Sequence, residues 1–230
     1  MVDISTYKNE VYEIYELHHE VQTDASGAGP STITVTGKKP HADVIASSGH
    51  KLKRTRVYIN GARATVTAVA LNGSDTDITV SEAIELGDSV DIFLATATGN
   101  LYNNTATGKF PLVELQTMQE YVATSNTFKQ PGCGTERKES IAFAADGNIT
   151  LGMNRRGNDH MRNFELARKN KTYLMIINKD TTNAANTTYD VLHEARVASY
   201  GRAAEANDSQ RGVVTDTITF SFVPDVAIST

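Results

Sequence analysis

The stretch Val213-Val-Thr-Asp-Thr-Ile-Thr-Phe-Ser-Phe-Val223 near the end of the chain decides the fold class. Apolar and polar side chains alternate along it with a period of two, which is typical of a β-strand with one buried face. One face carries Val214, Asp216, Ile218, Phe220 and Phe222, and the other carries Thr215, Thr217, Thr219 and Ser221. The pattern predicts a sheet whose apolar face packs on a core and whose threonine face meets solvent.

A helix and two further strands are predicted upstream of this stretch. Asn158-Asp159 offers an N-cap, and an apolar stripe of Met161, Phe164, Leu166 and Ala167 predicts a helix over about residues 159–169. The apolar run 173–177 predicts a strand buried on both faces, and residues 188–200 predict a strand with a bulge. Asp146-Gly147, between two strand-like runs, predicts a hairpin turn.

The first half of the chain contains only strand and turn signals. Short β-branched runs between residues 32 and 98 alternate with Asn60-Gly61, Asn72-Gly73 and Gly87-Asp88. Asn-Gly is a strong signal for a tight hairpin, because both of its turn positions need positive φ. These runs predict a compact β unit, and the chain as a whole is expected to be mainly β with one helix.

Three units are predicted from these patterns: an arm at residues 1–20, a β-rich accessory or decoration unit at 21–100, and a β core at 101–230. Residues 7–18 fit either a helix or a strand. Their apolar residues lie on one face both at the helical period of 3.6 residues and at the strand period of two. The linkers between the units are rich in small and polar residues, which is typical of domain boundaries.

Composition narrows the function. The chain has 230 residues, a net charge of −5, one cysteine and no tryptophan. One cysteine excludes an intrachain disulfide and a multi-cysteine metal site. The pair His18-His19 and the lone Cys133 each have a solvated, incidental interpretation that outweighs a metal or nucleophile role. We therefore expect no enzyme, no cofactor and no bound metal, and the N-terminus has no signal-peptide pattern.

Basic residues cluster at Lys38-Lys39 and between Lys51 and Arg56. They lack interleaved aromatic residues, and the chain is acidic overall. A solvated face or a protein contact is therefore favoured over nucleic-acid binding.

The order of elements over residues 117–225 resembles phage tail tube proteins, also called major tail proteins. The resemblance lies in a long loop that enters a strand, a strand followed by a solitary helix, the strand after that helix, and the closing strand. These segments are Thr124–Phe128 with Gly134–Ser140, Ile149–Met153 with Asp159–Lys169, Thr172–Asn178, and Val213–Asp225. A tail tube subunit does not need the β unit at 21–100, which suggests decoration of the outer surface or an enlarged barrel.

The resemblance implies a tail-tube-like β-sandwich or barrel core and hexameric rings of this chain that stack into a tube for DNA passage. Partners would be the chain itself, a tape measure protein, a terminator and, in a contractile tail, a sheath. The location would be the virion tail, after synthesis in the host cytoplasm. The implied lumen-facing residues are Thr215, Thr217, Thr219 and Ser221, and the implied inter-subunit or inter-ring loop contains Thr127, Phe128, Gly132, Cys133, Gly134 and Arg137.

Two other functions remain open. The chain could form another tail ring, such as a terminator, tail-tip or baseplate component. It could also be a carbohydrate- or surface-binding β module, although that needs an aromatic platform, and the aromatic content is only 7%.

Overall fold

A computed structural model of the chain describes the backbone of ten segments. They are residues 10–23, 31–103, 110–111, 115–124, 127–129, 140–142, 146–154, 159–180, 188–204 and 214–222. Side-chain burial is described for residues 13–23, 31–102, most of 162–199, and Phe220. No helix within these segments is long and apolar enough to cross a lipid bilayer.

The described residues form sixteen strands, one α-helix and two 3₁₀ turns, so the prediction of a mainly β chain is confirmed. The strands are β1 (Glu10–Gln22), β2 (Ser31–Val35), β3 (Arg56–Ile59), β4 (Ala62–Arg63), β5 (Val66–Asn72), β6 (Asp75–Val80), β7 (Val90–Ala95), β8 (Leu101–Asn103), β9 (Phe110–Pro111), β10 (Leu115–Thr124), β11 (Thr127–Lys129), β12 (Ser140–Ala142), β13 (Asp146–Asn154), β14 (Leu174–Asp180), β15 (Thr188–Ala204) and β16 (Val214–Phe222). The helix α1 spans Asp159–Lys169, and the 3₁₀ turns span Ala42–Val44 and His50–Arg54.

Eleven strands form one sheet that curls into a half-barrel. Its order is β10-β13-β16-β15-β14-β1-β7-β3-β4, with β8 paired to β1 and β9 to β8. All of these pairs are antiparallel except β8 with β9. A three-stranded sheet in the order β2-β6-β5 and the pair β11-β12 complete the described strands.

The strand β1 answers the question left open for residues 7–18, because residues 10–22 are extended. Its first half pairs with β14, from Glu10 opposite Asp180 to Glu16 opposite Leu174. Its second half, from Leu17, pairs with β7. Residues 10–20 of the predicted arm therefore lie in a strand of the large sheet, where Glu13, Ile14 and Tyr15 pair with β14 on one side and β8 on the other. Residues 1–9 lie outside the described segments.

The main hydrophobic core lies between the three-stranded sheet and the face of the large sheet built by β1, β3 and β7. Its members come mostly from residues 31–95, but Tyr15, Leu17, Met175 and Ile177 belong to the same cluster. One core therefore joins β1 and β14 to the predicted accessory unit. The independence of the units at 21–100 and 101–230 stays a prediction.

The hairpin at Asn60-Gly61 is confirmed, with φ of 50° and 79° at the two turn residues. This geometry has positive φ at both positions, as a type I′ turn requires. The returning strand β4 has only two residues and ends at Arg63. The chain then leaves the large sheet, and Val66 begins β5 of the small sheet.

The predicted hairpin at Asp146-Gly147 is wrong. Both residues lie inside β13, with Asp146 opposite Thr124 and Gly147 opposite Ala123 on β10. Gly147 is also opposite Phe222 on β16. Pairing with β10, and at Gly147 also with β16, holds these residues in an extended conformation, which a turn does not allow.

The helix α1 has the predicted bounds. Phe164 is fully buried and Ala167 is nearly so, whereas Leu166 is exposed, which corrects its place in the predicted stripe. The helix ends in a Schellman arrangement, because the Thr172 amide donates to the Ala167 carbonyl at 2.9 Å. Lys171 occupies the position that glycine usually takes, with φ of 54°.

The strands after the helix match their predictions. Leu174, Met175, Ile176 and Ile177 on β14 are all fully buried, so this strand is covered on both faces. The pairing of β14 with β15 skips between the Ala195 and Leu192 registers, and Glu194 has φ of 55°. The strand β15 is therefore bulged, as expected.

Candidate functional site

The residues predicted to line a channel lie on β16, in the interior of the large sheet. They are Thr215, Thr217, Thr219 and Ser221. Each is paired with β13 on one side and β15 on the other, as Thr217 is with Gly152 and Gly201. Their side chains lie outside the described part of the structure, so their place in a lumen stays a prediction.

On the other face of β16, the predicted burial of Phe220 is confirmed. This side chain is fully buried, and its ring meets the ring of Phe164 edge-to-face at 5.6 Å between centroids. Phe164 also stacks on Tyr102 at 4.1 Å. The helix therefore packs against β16, as the sequence predicted; the side chains of Met161, Ile218 and Phe222 lie outside the description.

The predicted inter-subunit loop is only partly described. Thr127 and Phe128 belong to β11, where they pair with Ala142 and Ile141 on β12. This corrects the expectation of an irregular segment over those two residues, because ladder pairing replaces loop structure there. The remaining predicted loop residues, Gly132, Cys133, Gly134 and Arg137, lie outside the described segments.

The strand β10 forms one edge of the large sheet. Seven of its ten residues pair with residues of β13, with register irregularities between Leu115 and Thr117 and between Gln119 and Val122. No strand of the described segments pairs with the other side of β10. The other end of the sheet is the two-residue strand β4. The main path of the sheet therefore ends in one long edge and one short edge, and the branch through β8 ends in the two-residue strand β9.

A buried ionic network lies where β3 meets the bulge of β15. The Arg56 Nη1 donates to Glu194 Oε1 at 3.1 Å, and the Tyr58 hydroxyl donates to the same oxygen. The two charged side chains are only 5% and 18% exposed. The bulge aims Glu194 at β3, since an extra residue re-orients the side chains of a strand. Burial, and then the bond to Glu194, raise the pKa of Tyr58.

His193 lies beside this network and is fully buried. Its Nε2 lies 3.1 Å from the carbonyl oxygen of Arg54, and since a carbonyl only accepts, Nε2 carries the proton. Within the described structure, its Nδ1 has no hydrogen-bond partner. Burial, followed by the charge of Arg56, lowers the pKa of His193 to about 3. His193 is therefore a neutral core group.

The predicted solvated basic cluster needs a correction. Arg54 and Arg56 are 3% and 4% exposed. Arg54 donates from Nη1 to the Asp43 carbonyl at 3.2 Å, and Arg56 pairs with Glu194. Their aliphatic stems and charges are held by partners distant in sequence, so only the neighbouring lysines contribute a solvated positive face.

A second polar cluster centres on Tyr15. Its hydroxyl lies 3.0 Å from Glu13 Oε2 and 2.9 Å from Asp43 Oδ2, and Lys179 donates to the other Glu13 oxygen at 2.5 Å. Burial and the two carboxylates raise the pKa of Tyr15 well above its usual range, so the phenol stays protonated. The cluster ties β1 to β14 and to the first 3₁₀ turn.

The histidines of β1 point to opposite faces, as a strand requires. His18 Nε2 lies 2.8 Å from Glu20 Oε2, whereas the ring of His19 stacks on Phe93 at 4.5 Å. The described residues hold no group of three or more histidine, cysteine, aspartate or glutamate side chains arranged for a metal ion.

Sequence reasoning missed both polar clusters. Arg56 and Glu194 are 138 positions apart, and Tyr15 and Asp43 are 28 apart. No local spacing marks such pairs. Each cluster pairs buried charged groups that come from different elements, so its role in the fold is to hold those elements together.

Comparison of the sequence with models of known protein families and with curated proteins finds no match.

Proposed function

We propose that the protein is a structural component of a phage tail, which forms hexameric rings that stack into the tail tube and conduct DNA during ejection. The chain would act without a catalytic centre or a cofactor. The proposal draws on the order of elements that resembles tail tube proteins, and on the large curled sheet with its solitary helix packed at β16.

The observation that carries the proposal is the half-barrel with one long edge, β10. An edge strand leaves backbone donors and acceptors without ladder partners, and closure into a barrel removes such edges. A ring of copies offers this closure when the β10 edge of each subunit pairs with a different edge of its neighbour, because pairing of β10 with β10 would give a twofold dimer. The strand β10 has ten residues, more than the usual strand, so the edge that needs cover is long.

Charge also supports a conduit. The chain carries a net charge of −5, and the predicted channel face of β16 is composed of threonine and serine. Proteins that hold DNA neutralise phosphates with lysine and arginine and release counterions. An uncharged wall on an acidic protein lets phosphates slide past.

The second candidate, a carbohydrate-binding module, has less support. Such sites need an open aromatic ring, but the described rings cover one another. The ring of Tyr173 contacts Phe93 edge-to-face at 5.0 Å between centroids, and the guanidinium of Arg196 lies 4.1 Å from the centroid of the Tyr173 ring. Another tail ring component remains an alternative, and it differs from a tube protein in copy number.

Negative-stain microscopy of concentrated protein tests the proposal, with tubes or stacked rings as the expected result. The variants Met118→Pro and Gln119→Pro test the role of the β10 edge. Proline removes a backbone N–H, and adjacent residues of a strand direct their N–H groups to opposite sides. One variant should lose a bond to β13, and the other should lose only an outward donor and remain folded without assembling. Persistently monomeric wild-type protein, or normal tubes from both variants, would contradict the proposal.

The channel face has its own test. Replacing Thr217 and Thr219 by lysine should leave folding and tube assembly intact but slow DNA ejection, most strongly at low salt. The matched control replaces both by glutamine, which adds bulk without charge and should eject normally. Cysteine labelling of residue 219 on the outside of assembled tubes would contradict the channel assignment.

A further inference from the structure

An exposed apolar residue marks the turn between β6 and β7. Leu86 is 80% exposed, the largest fraction among the large apolar side chains that the structure describes. Glu85 and Asp88 flank it, and Gly87 has φ of 96°, a conformation that favours glycine. We call residues 85–88 the Leu86 turn.

The Leu86 turn is held firmly. The Asp88 carboxylate accepts from the Glu85 amide at 2.7 Å and from the Asn60 Nδ2 at 2.7 Å. The Asp88 amide donates back to the Glu85 carbonyl at 3.1 Å, and the Ser89 amide donates to Asn60 Oδ1 at 3.0 Å. A partner that binds Leu86 therefore orders little additional backbone, which reduces the entropic cost of binding.

A cleft of about 390 Å³ lies elsewhere in the same part of the chain. Its lining includes Leu52, Lys53, Thr55, Arg63, Ala64 and Val66. Apolar side chains lie beside two cationic ones, Lys53 and Arg63. The Thr55 hydroxyl is buried there and has no hydrogen-bond partner within the described structure. The cleft thus combines apolar contact with positive charge, and its volume lies within the usual range for ligand-binding clefts.

The charge distribution favours an acidic occupant. Residues 37–66 contain seven lysines and arginines and one aspartate, in a chain whose total charge is −5. Two of the seven, Arg54 and Arg56, are buried and held by partners, which leaves Lys38, Lys39, Lys51, Lys53 and Arg63 to set the charge of this surface. The Glu82 carboxylate accepts from the Thr65 amide at 2.9 Å. The cleft region remains cationic against an otherwise acidic protein, so its surface complements other parts of the same chain.

We infer that the Leu86 turn of one copy docks into the Lys53–Arg63 cleft of a second copy, with Leu86 against the apolar lining and Glu85 facing the cations. Leu86 is exposed in the isolated chain, so it does not occupy its own cleft. The inference rests on the proposed self-assembly and adds a side-chain contact to the edge pairing of β10. Two different surfaces that meet in this way can repeat from copy to copy, as a ring or stack requires.

Site-specific cross-linking tests the contact in the full chain. In a Cys133→Ser background, one preparation carries Leu86→Cys and another carries Leu52→Cys. The two are mixed and oxidised, and covalent dimers are measured by mass spectrometry. We expect heterodimers at least tenfold above the yield with Leu71→Cys, a control at an exposed leucine outside the cleft.

Charge reversal tests the complementarity. Lys53→Glu with Arg63→Glu should lower the heterodimer yield at least tenfold, and Glu85→Lys on the partner copy should recover much of it. Lys38→Glu with Lys39→Glu makes the same change in net charge and should leave the yield unchanged. Circular dichroism spectra confirm that each variant is folded.

The outcomes separate this contact from the tail-tube proposal. Tubes without the specific heterodimer overturn the docking inference alone. Specific heterodimers from a protein that never forms rings or tubes support the docking and contradict the tube. A cross-link equal to the Leu71→Cys control, or one indifferent to reversal at Lys53 and Arg63, also overturns the docking.

Discussion

The buried histidine of β15 gives the sharpest test of the fold. We expect His193→Gln to make the protein less sensitive to acid between pH 7.5 and pH 5. The glutamine amide can still donate to the Arg54 carbonyl, which His193 Nε2 reaches at 3.1 Å. The variant therefore keeps the hydrogen bond and removes the titrating group.

The magnitude follows from the two pKa values of the imidazole. In the unfolded chain the pKa of His193 is about 6.5, and in the folded protein burial and the charges of Arg56 and Arg63 lower it to about 3. Below pH 6.5 the unfolded state binds a proton that the folded state refuses, so stability falls as the pH falls. At pH 5 the loss is about 2 kcal/mol, and it reaches about 4–5 kcal/mol near pH 3.

Urea unfolding at pH 7.5 and pH 5.0 measures this loss. Other carboxyl and imidazole groups contribute equally to wild type and variant, so the difference between their two pH-dependent losses isolates His193. Wild type should lose about 2 kcal/mol more than His193→Gln over this range. His19→Gln, at an exposed histidine, is the matched control and should behave as wild type.

An equal loss of stability in wild type and His193→Gln would refute the reasoning. It would mean that the imidazole is protonated in the folded protein at pH 5, through water entry or movement of Arg56. Nuclear magnetic resonance titration of the His193 ring then decides directly, because the folded signal should show no protonation above pH 4.

Four other substitutions test packing and backbone conformation by urea unfolding at pH 7.5. Glu194→Gln should destabilise the protein by about 3 kcal/mol, since it leaves Arg56 buried without its carboxylate. Arg56→Met combined with Glu194→Gln should cost less than the two single changes together, and simple additivity would count against the pair. Phe220→Ala should cost about 3–5 kcal/mol by creating a cavity beneath α1, and a loss below 1 kcal/mol would show that the site collapses or is solvated. Lys171→Gly should stabilise by about 0.5–1 kcal/mol, because φ of 54° suits glycine at a helix C-terminus, and a destabilised variant would contradict this.

Some elements are readable from the sequence because their causes are local. The period of two in 213–223 and the stripe from Phe164 to Ala167 arise from which face of a single element is buried. The hairpin at Asn60-Gly61 follows from the steric preference of two residues for positive φ. Each of these signals is complete within about a dozen residues, so no knowledge of the rest of the chain is needed.

Predictions from the sequence failed where one local pattern is compatible with two structures. Asp146-Gly147 is a good turn, yet it lies in β13, because pairing with β10 and β16 outweighs the turn preference. Residues 10–20 belong to the predicted N-terminal arm, yet they form part of β1 in the large sheet. Strand period records which face is apolar but does not record which strand becomes the neighbour.

Tertiary structure alone decided the partners. The carboxylate that neutralises Arg56 comes from Glu194, and the local sequence of β3 contains no sign of it. The cleft likewise brings Lys53 and Arg63 beside apolar side chains only because the chain passes from the large sheet to the small sheet after β4. Secondary structure follows from interactions over a few residues, whereas these contacts are selected by the free energy of burying the whole core at once, which no single segment encodes.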